Sequence, residues 1–126
     1  MLLGNYFHNI NKNYKNFYFS GISFDTKSIK KNNIFFAIKG NNVDGNKFIP
    51  EAIKKGCKIV VSDKKGNYFQ NGILYIHTSN IRKLLAETVF KIYNKKPKNL
   101  IAVTGTNGKS SVADFYYQIL KLNNKK

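Results

Sequence analysis

The chain of 126 residues contains little cysteine, proline and acid, and it has no long apolar run. Its single cysteine, Cys57, cannot form an internal disulfide, so a reducing compartment such as the cytoplasm is the simplest expectation. No apolar stretch approaches the ~18 residues that a membrane span needs. Residues 1–6 place no basic segment ahead of an apolar one. We therefore expect neither a membrane span nor a secretory signal.

Negative charge is scarce as well. The chain has six acidic residues and 22 basic ones, which gives a net charge of +16. Such a charge raises the possibility that the protein binds nucleic acid. Only Arg82 is an arginine, however, and arginine is the side chain best suited to bidentate recognition of bases and phosphates. The lysines are spread along the whole chain beside asparagines. We expect a solvated lysine-rich surface and no specific nucleic acid, with a basic nucleic-acid-binding protein as the alternative.

Hydrophobic residues make up 42% of the chain, which is enough for a packed core. Apolar and β-branched runs predict four strands, over residues 17–24, 34–38, 58–62 and 72–76. Helical spacing of apolar residues predicts a helix from Phe48 that ends near Gly56, and a second from Ser79 to Tyr93. Strands that alternate with helices indicate an α/β domain, which we place at residues 1–93.

A basic, proline-containing segment over residues 94–99 is the predicted linker. After it we expect a second, incomplete domain at residues 100–126. Residues 100–103 are predicted to form a strand. The apolar side chains of the helix that follows recur on one side, at Val112, Phe115, Tyr116, Ile119 and Leu120.

The loop between that strand and that helix reads Thr-Gly-Thr-Asn-Gly-Lys-Ser-Ser over residues 104–111. Glycines there allow backbone N–H groups to surround an anion, and the helix N-terminus adds its positive dipole end. Val103 occupies the first glycine position of the usual P-loop pattern, so this is a variant loop. We expect Lys109 to contact the β- and γ-phosphates as the catalytic residue, and Ser110 to ligate Mg²⁺. The predicted ATP-binding residues are Gly105, Thr106, Asn107, Gly108, Lys109, Ser110 and Ser111. A glycine-rich turn without a ligand is the alternative.

Residues 103–110 resemble the ATP loop of the Mur ligases, the cytoplasmic bacterial enzymes that build the peptidoglycan stem peptide. The upstream chain is similar to the N-terminal domain of that family in order and spacing. The segments that carry this similarity are Phe24-Asp25-Thr26-Lys27, Ile34 through Gly40, and Val43-Asp44-Gly45 through Ile53. The resemblance extends from Gly21 to the end of the chain.

The resemblance implies an α/β fold in which a UDP-sugar-binding N-terminal domain precedes the first strand, P-loop and helix of a truncated central ATPase domain. It implies ATP and Mg²⁺ as cofactors, and UDP-MurNAc-dipeptide and an amino acid as substrates. By residue-wise transfer, the UDP-MurNAc-dipeptide contacts are Phe24, Thr26, Lys27, Asn41, Asn42 and Val43.

Within the family, Thr106-Asn107 is similar to the branch that adds the third amino acid to UDP-MurNAc-L-Ala-D-Glu through an acyl phosphate. We expect that amino acid to be meso-diaminopimelate, with L-lysine as the alternative. The branch that adds D-Ala-D-Ala, which usually has serine at the Thr106 position, and a non-enzymatic nucleotide-binding module are the rival interpretations. Complete Mur ligases have further domains, so we expect this chain to be an N-terminal fragment, inactive alone, with the rest on a continuation or a second chain.

Three residues depart from the usual family pattern. Thr26 and Lys27 stand where serine and arginine are usual, and Asn41 stands where many relatives have histidine or glutamate. Threonine keeps the hydroxyl, but lysine cannot reproduce the planar, bidentate contact of a guanidinium group. The resemblance therefore predicts a changed contact to the nucleotide sugar at Lys27.

Other residues with reactive side chains have simpler interpretations. Cys57 is expected to be a small core residue, and Asp25 and Asp44 are expected to fix turns through hydrogen bonds to the backbone. His8 and His77 are isolated in the sequence, with no second ligand at metal spacing.

Overall fold

A computed structural model describes residues 1–8, 10–93, 95, 97 and 99–124. The chain divides into two compact units, Met1–Asn94 and Lys95–Lys126. The predicted linker, 94–99, falls at this division, and its residues 94, 96 and 98 lie outside the described residues.

The first unit contains a five-stranded sheet. Its strands are β1 (Gly21–Ser23), β2 (Asn33–Phe36), β3 (Ile59–Ser62), β4 (Tyr68–Gln70) and β5 (Ile73–His77). They lie in the order β1-β2-β3-β5-β4. The first four strands of that order are parallel, and β4 pairs antiparallel with β5 at one edge. The carboxyl ends of the four parallel strands therefore meet at one edge of the sheet.

The central strands are buried on both sides, which explains their continuous apolar sequence. All residues of β2 and β3 are buried. Ile34 and Phe36 of β2 join one core layer, whereas Phe35 between them joins the other. The N-terminal segment also contributes to the first layer, with the side chains of Leu3 and Phe19. Successive side chains of a strand point to opposite faces, so one short strand contributes to both layers.

Two helices cover the sheet. Helix α1 (Ile49–Lys54) follows a 3-10 turn over Gly45–Phe48 and contributes Ile49 and Ala52 to the second layer. Helix α2 (Ile81–Ile92) places Ile81 in the first layer. Asn80 caps α2, since its Oδ1 accepts a hydrogen bond of 3.0 Å from the backbone N–H of Lys83. Within the described residues, no helix has the length and apolar character to cross a lipid bilayer.

The predicted α/β fold is confirmed, and three local differences from the predicted elements stand out. Only Gly21–Ser23 of the predicted strand 17–24 joins the sheet, while Tyr18 forms an isolated bridge with Leu2. The N-terminal residues, left unassigned by the sequence, form two 3-10 turns, Leu3–Asn5 and Lys12–Tyr14. Strand β4 was not predicted.

The second unit contains helix α3 (Lys109–Leu122), as its sequence predicts. The predicted strand over residues 100–103 is wrong, because this segment has no regular secondary structure. A strand needs a neighbour to take its N–H and C=O groups, and no described strand pairs with this segment. Most apolar side chains of the segment and of the helix face are exposed, among them Leu100, Ile101, Val112, Phe115 and Ile119.

Candidate functional site

A groove runs along the edge of the sheet where the four parallel strands end. It consists of three adjoining hollows of about 390, 480 and 210 Å³, which share Ile38 and Arg82. We call it the edge groove. Open parallel sheets bind their ligands at this edge, because the connecting loops and helix N-termini converge there.

The three hollows of the edge groove differ in the polarity of the residues that line them. The hollow of about 390 Å³ is largely apolar, with Phe24, Val43 and Phe48 in its wall. The hollow of about 210 Å³ is polar, and Lys39 and Asp63 lie in it. The hollow of about 480 Å³ follows the apolar side of α2. A ligand that combines a planar or apolar group with a charged group fits this arrangement.

The structure places two of the six predicted substrate-binding residues in the edge groove. Phe24 follows β1 and is 66% exposed, and Val43 belongs to the loop after β2 and is 54% exposed. Asn41 and Asn42 lie on the same loop as Val43, exposed to solvent, and neither lines one of the three hollows. Exposed aromatic and apolar side chains at a groove provide a surface on which a planar ring can stack.

Thr26 and Lys27 are placed differently. Thr26 is buried, and its backbone carbonyl accepts a 3.0 Å hydrogen bond from Lys55 Nζ. Hydrogen bonds from Lys55 and from the Thr26 side chain lower the pKa of the Glu51 carboxyl on α1. The Thr26 hydroxyl is thus engaged by α1. Lys27 is exposed and lines none of the three hollows.

The loop that carries Asn41, Asn42 and Val43 is closed by backbone hydrogen bonds. Gly40 N–H donates to Val43 C=O at 2.8 Å, and Gly45 N–H donates to Ile38 C=O at 3.0 Å. Asp44 starts the next 3-10 turn, since its Oδ1 accepts from Asn46 N–H at 2.9 Å. Hydrogen bonds from the Asn46 backbone and side chain lower the pKa of Asp44. The prediction that Asp44 fixes a turn is confirmed.

Asp25 has the same role after β1. Its Oδ1 accepts a 3.0 Å hydrogen bond from the backbone N–H of Lys27 and so caps the 3-10 turn Thr26–Ser28. Its carboxylate is therefore occupied with the backbone, as the sequence predicts.

Arg82 is a groove residue that the sequence analysis did not select as a site residue. It lies in the first turn of α2 and lines all three hollows. Within the described part of the chain, its guanidinium group has no hydrogen-bond or ion-pair partner. One feature of the sequence could have indicated this role, because Arg82 is the only arginine in a lysine-rich chain.

A separate hollow of about 380 Å³ brings together His8 and His77, which are far apart in the sequence. Lys91 Nζ donates to Tyr6 C=O at 3.0 Å and lies 2.8 Å from His8 Nε2, so it ties the N-terminal segment to α2. The described residues contain no cluster of histidine, cysteine and acidic side chains that could hold a metal ion. The polar contacts beside this hollow therefore connect the N-terminal segment to α2.

Cys57 is a core residue, as predicted. It is fully buried in the second core layer, and its Sγ donates to Ile59 C=O at 3.0 Å. Burial raises the pKa of the Cys57 thiol to about 11. A thiol that stays protonated and buried is not a nucleophile.

In the second unit, the predicted phosphate loop precedes α3. Gly108 is the N-cap residue, with a left-handed φ of 75° that favours glycine. The Lys109 ammonium group donates to the carbonyl oxygens of Gly105 and Thr106, in the latter case at 3.1 Å. Thr106, Asn107, Ser110 and Ser111 are exposed. An ammonium group, hydroxyls and free helix N–H groups form a donor set that fits phosphate oxygens.

A parallel sheet with a groove at its carboxyl edge, followed by a glycine-lysine-serine loop ahead of a helix, defines an α/β protein suited to phosphate-bearing ligands. Residues 18–102 match the family described as "Mur ligase family, catalytic domain". The chain belongs to the Mur ligase family, which confirms the resemblance seen in the sequence. The matched region ends before the loop that begins at Thr104.

Curated relatives extend the similarity through the loop. A UDP-N-acetylmuramoyl-L-alanyl-D-glutamate--2,6-diaminopimelate ligase from Rickettsia prowazekii (strain Madrid E) is 44% identical over 119 residues, which cover 94% of this chain and 24% of the relative. A ligase of the same name from Clostridium tetani (strain Massachusetts / E88) is 45% identical over 104 residues, which cover 79% of this chain and 21% of the relative. The chain thus spans about a quarter of the length of the Rickettsia relative.

Solved structures share the fold. The MurF ligase from Thermotoga maritima in complex with ADP superimposes with a TM-score of 0.60 at 24% identity, and covers 79% of this chain and 23% of its own. A UDP-N-acetylmuramoylalanyl-D-glutamyl-2,6-diaminopimelate--D-alanyl-D-alanyl ligase from Acinetobacter baumannii gives a TM-score of 0.57 at 20% identity, and covers 82% of this chain and 23% of its own.

Proposed function

We propose that this chain supplies the UDP-substrate groove and the ATP loop of a ligase that adds diaminopimelate to UDP-MurNAc-L-Ala-D-Glu. The observation that carries the proposal is the 44% identity to a ligase of that name over 94% of the chain. Such coverage includes the edge groove and most of the second unit together. The solved MurF ligases share the fold at 24% identity or less. Diaminopimelate addition is therefore proposed in preference to D-Ala-D-Ala addition.

In this proposal the edge groove holds the UDP end of the substrate. Phe24 and Val43 offer an apolar surface for the uracil ring, and their exposure in the same hollow supports this role. Asn41 and Asn42 supply amide donors and acceptors from the adjoining loop. Lys27 lines none of the three hollows and adds a compact positive charge on the turn that follows Phe24. Thr26 positions its own turn through Glu51 and Lys55 and acts on the substrate through that turn.

ATP, when bound, supplies the phosphoryl group that activates the terminal carboxylate of the substrate. The backbone N–H groups of Gly105 through Gly108 and the hydroxyls of Ser110 and Ser111 would hold its phosphates. Lys109 would exchange its two loop carbonyls for phosphate oxygens and neutralise their charge. The Ser110 hydroxyl would be one ligand of Mg²⁺. The bacterial cytoplasm is the compartment we propose for this reaction, and the lack of a disulfide partner for Cys57 supports it.

The first test is binding of UDP-MurNAc-L-Ala-D-Glu to the whole chain, measured by isothermal titration calorimetry. We expect saturable binding at one site. Phe24→Ala should weaken binding about tenfold, because it removes an aromatic surface from the apolar hollow.

Tyr18→Ala is the matched control. Tyr18 is an aromatic residue that is 60% exposed, comparable to Phe24 at 66%, and it lines none of the three hollows. We expect this variant to bind like the wild-type chain. Absence of binding by the wild-type chain, or equal weakening by the two substitutions, would contradict the proposed function.

A further inference from the structure

The position of Arg82 in the edge groove favours a role in ligand binding. Arg82 and Ile38 are the two residues shared by the apolar hollow, the polar hollow and the hollow along α2. A group at this junction can contact a ligand that extends from the apolar hollow to the polar one. Arg82 is therefore placed beside the middle of such a ligand.

The charges around this junction favour an anion. Lys39 lines the polar hollow together with Arg82. Asp63 is the carboxylate in the same hollow, and its Oδ1 already accepts a 3.0 Å hydrogen bond from Asn46 Nδ2. The Arg82 guanidinium has no partner among the described residues. The charged donor at the junction is thus free, while the carboxylate has a partner.

Asn80 Oδ1 accepts the N–H of Lys83 and so caps part of the first turn of α2, beside Arg82. The side chain of Arg82 differs from the surrounding lysines in its chemistry. A guanidinium group presents a planar fork of donors that matches two oxygens of a phosphate, whereas an ammonium group is a point charge. Lys27 lies outside all three hollows, whereas Arg82 lines each of them. Arg82 can therefore supply a bidentate contact within the edge groove.

We propose that Arg82 binds the diphosphate of the UDP-linked substrate at the junction of the three hollows. This inference rests on the proposed function, since it assumes that the groove holds a uridine diphosphate group. It assigns the recognition of charge to Arg82 and leaves the recognition of the ring to the apolar hollow of Phe24 and Val43.

The experiment compares UDP with uridine, which lacks the phosphates, as ligands of the whole chain. Binding is followed by ¹⁵N–¹H correlation spectra, which detect weak ligands. The wild-type chain should bind UDP more tightly than uridine. Arg82→Gln should weaken UDP binding about 10- to 100-fold, because a hydrogen-bonded charge pair is lost. The same variant should change uridine binding less than twofold, and Arg82→Lys should recover part of the loss.

Lys83→Gln is the control, because it removes the same charge from the next residue of α2. Lys83 is exposed and lies 4.0 Å from Glu87. The Lys83→Gln variant should bind UDP like the wild-type chain. Equal loss of UDP and uridine binding in Arg82→Gln would overturn the inference, as would equal effects of the two substitutions on UDP, or wild-type UDP binding no tighter than uridine binding. Failure of the wild-type chain to bind UDP-MurNAc-L-Ala-D-Glu would instead refute the proposed function.

Discussion

Gly45 shows how a single residue shapes the edge groove. It lies where the loop after β2 folds back on the end of that strand, and its N–H donates to Ile38 C=O. A Cβ atom at this position would lie 2.5 Å from Ile38 O, 2.6 Å from Ile38 N and 2.8 Å from Ala37 C. These are backbone atoms, which cannot rotate away. Glycine is therefore required by the close approach of two backbone segments.

We predict that Gly45→Ala destabilises the chain by about 3 kcal/mol, because the backbone must shift to accept the added methyl group. Urea unfolding followed by circular dichroism measures this change. Gly72→Ala is the control, since its Cβ would meet no atom within 4 Å and only its φ of 78° opposes a side chain. The control should cost about 1 kcal/mol. A loss in Gly45→Ala no larger than that in the control would contradict the prediction.

The sequence could indicate some site residues and not others. Phe24 and Val43 were predicted from the family pattern, and both line the edge groove. Thr26 was predicted on the same grounds, but its side chain is buried against α1. That burial depends on contacts with Glu51 and Lys55, two residues that lie far from Thr26 in the sequence. Arg82 had no local motif, and only the meeting of the strand ends places it in the groove. Local pattern thus identified the loops, while tertiary packing determined which side chains reach the groove.

At the scale of elements, the buried strands and the amphipathic helices were predictable because their periodicity is strong. Strand β4 is short and exposed, so it lacks that periodicity. The dipeptide Asn71-Gly72 was nevertheless available as a hairpin indication. Both residues have positive φ, at 51° and 78°, and the register pairs Gln70 with Ile73 across a two-residue turn. The apolar segment 100–103 failed as a strand for the opposite reason, since strand pairing is a property of two segments.

The 3-10 turn Gly45–Phe48 provides an element-scale prediction, because Asp44 caps it and leads the chain into α1. The folded-state pKa of Asp44 lies below the ordinary value of 3.8. Its carboxylate therefore stabilises the fold above that value, and this contribution disappears as the pH falls through the folded-state pKa. We predict that the wild-type chain is more stable than Asp44→Asn at pH 7 and that the difference shrinks below about pH 3.8.

Thermal unfolding of the two chains between pH 7 and pH 2.5 would measure this difference. Asp114→Asn is the control, because Asp114 is an exposed residue of α3 that bonds only the Gln118 side chain in the described structure. At pH 7 it should differ less from the wild-type chain than Asp44→Asn does, because Asp114 caps no turn and the only described bond of its side chain is to the Gln118 side chain. A difference between wild-type and Asp44→Asn that persists unchanged at pH 2.5 would contradict the assignment of the cap to the charged carboxylate.

At the scale of the whole molecule, the apolar core belongs to one of the two units. In the part of the chain that the structure describes, every buried hydrophobic residue lies between Leu3 and Ile81, in the unit Met1–Asn94. Helix α3 in the other unit has no buried residue among those described. Burial of apolar surface is the main source of cooperative stability. The two units should therefore differ strongly in resistance to local unfolding, even though the sequence predicts a regular helix in the second one.

Hydrogen–deuterium exchange followed by mass spectrometry tests this difference. We predict that peptides from β3 exchange only through global unfolding, because its residues are buried and paired on both sides. Peptides from α3 should exchange at least about 100-fold faster, because its hydrogen bonds open without exposing a core. Rates are corrected for intrinsic exchange, and peptides from α2, which is anchored by buried Ile81 and Thr88, serve as the helical control. Protection of α3 equal to that of α2 would contradict the prediction, because it would require apolar contacts that cover the exposed face of Val112, Phe115 and Ile119.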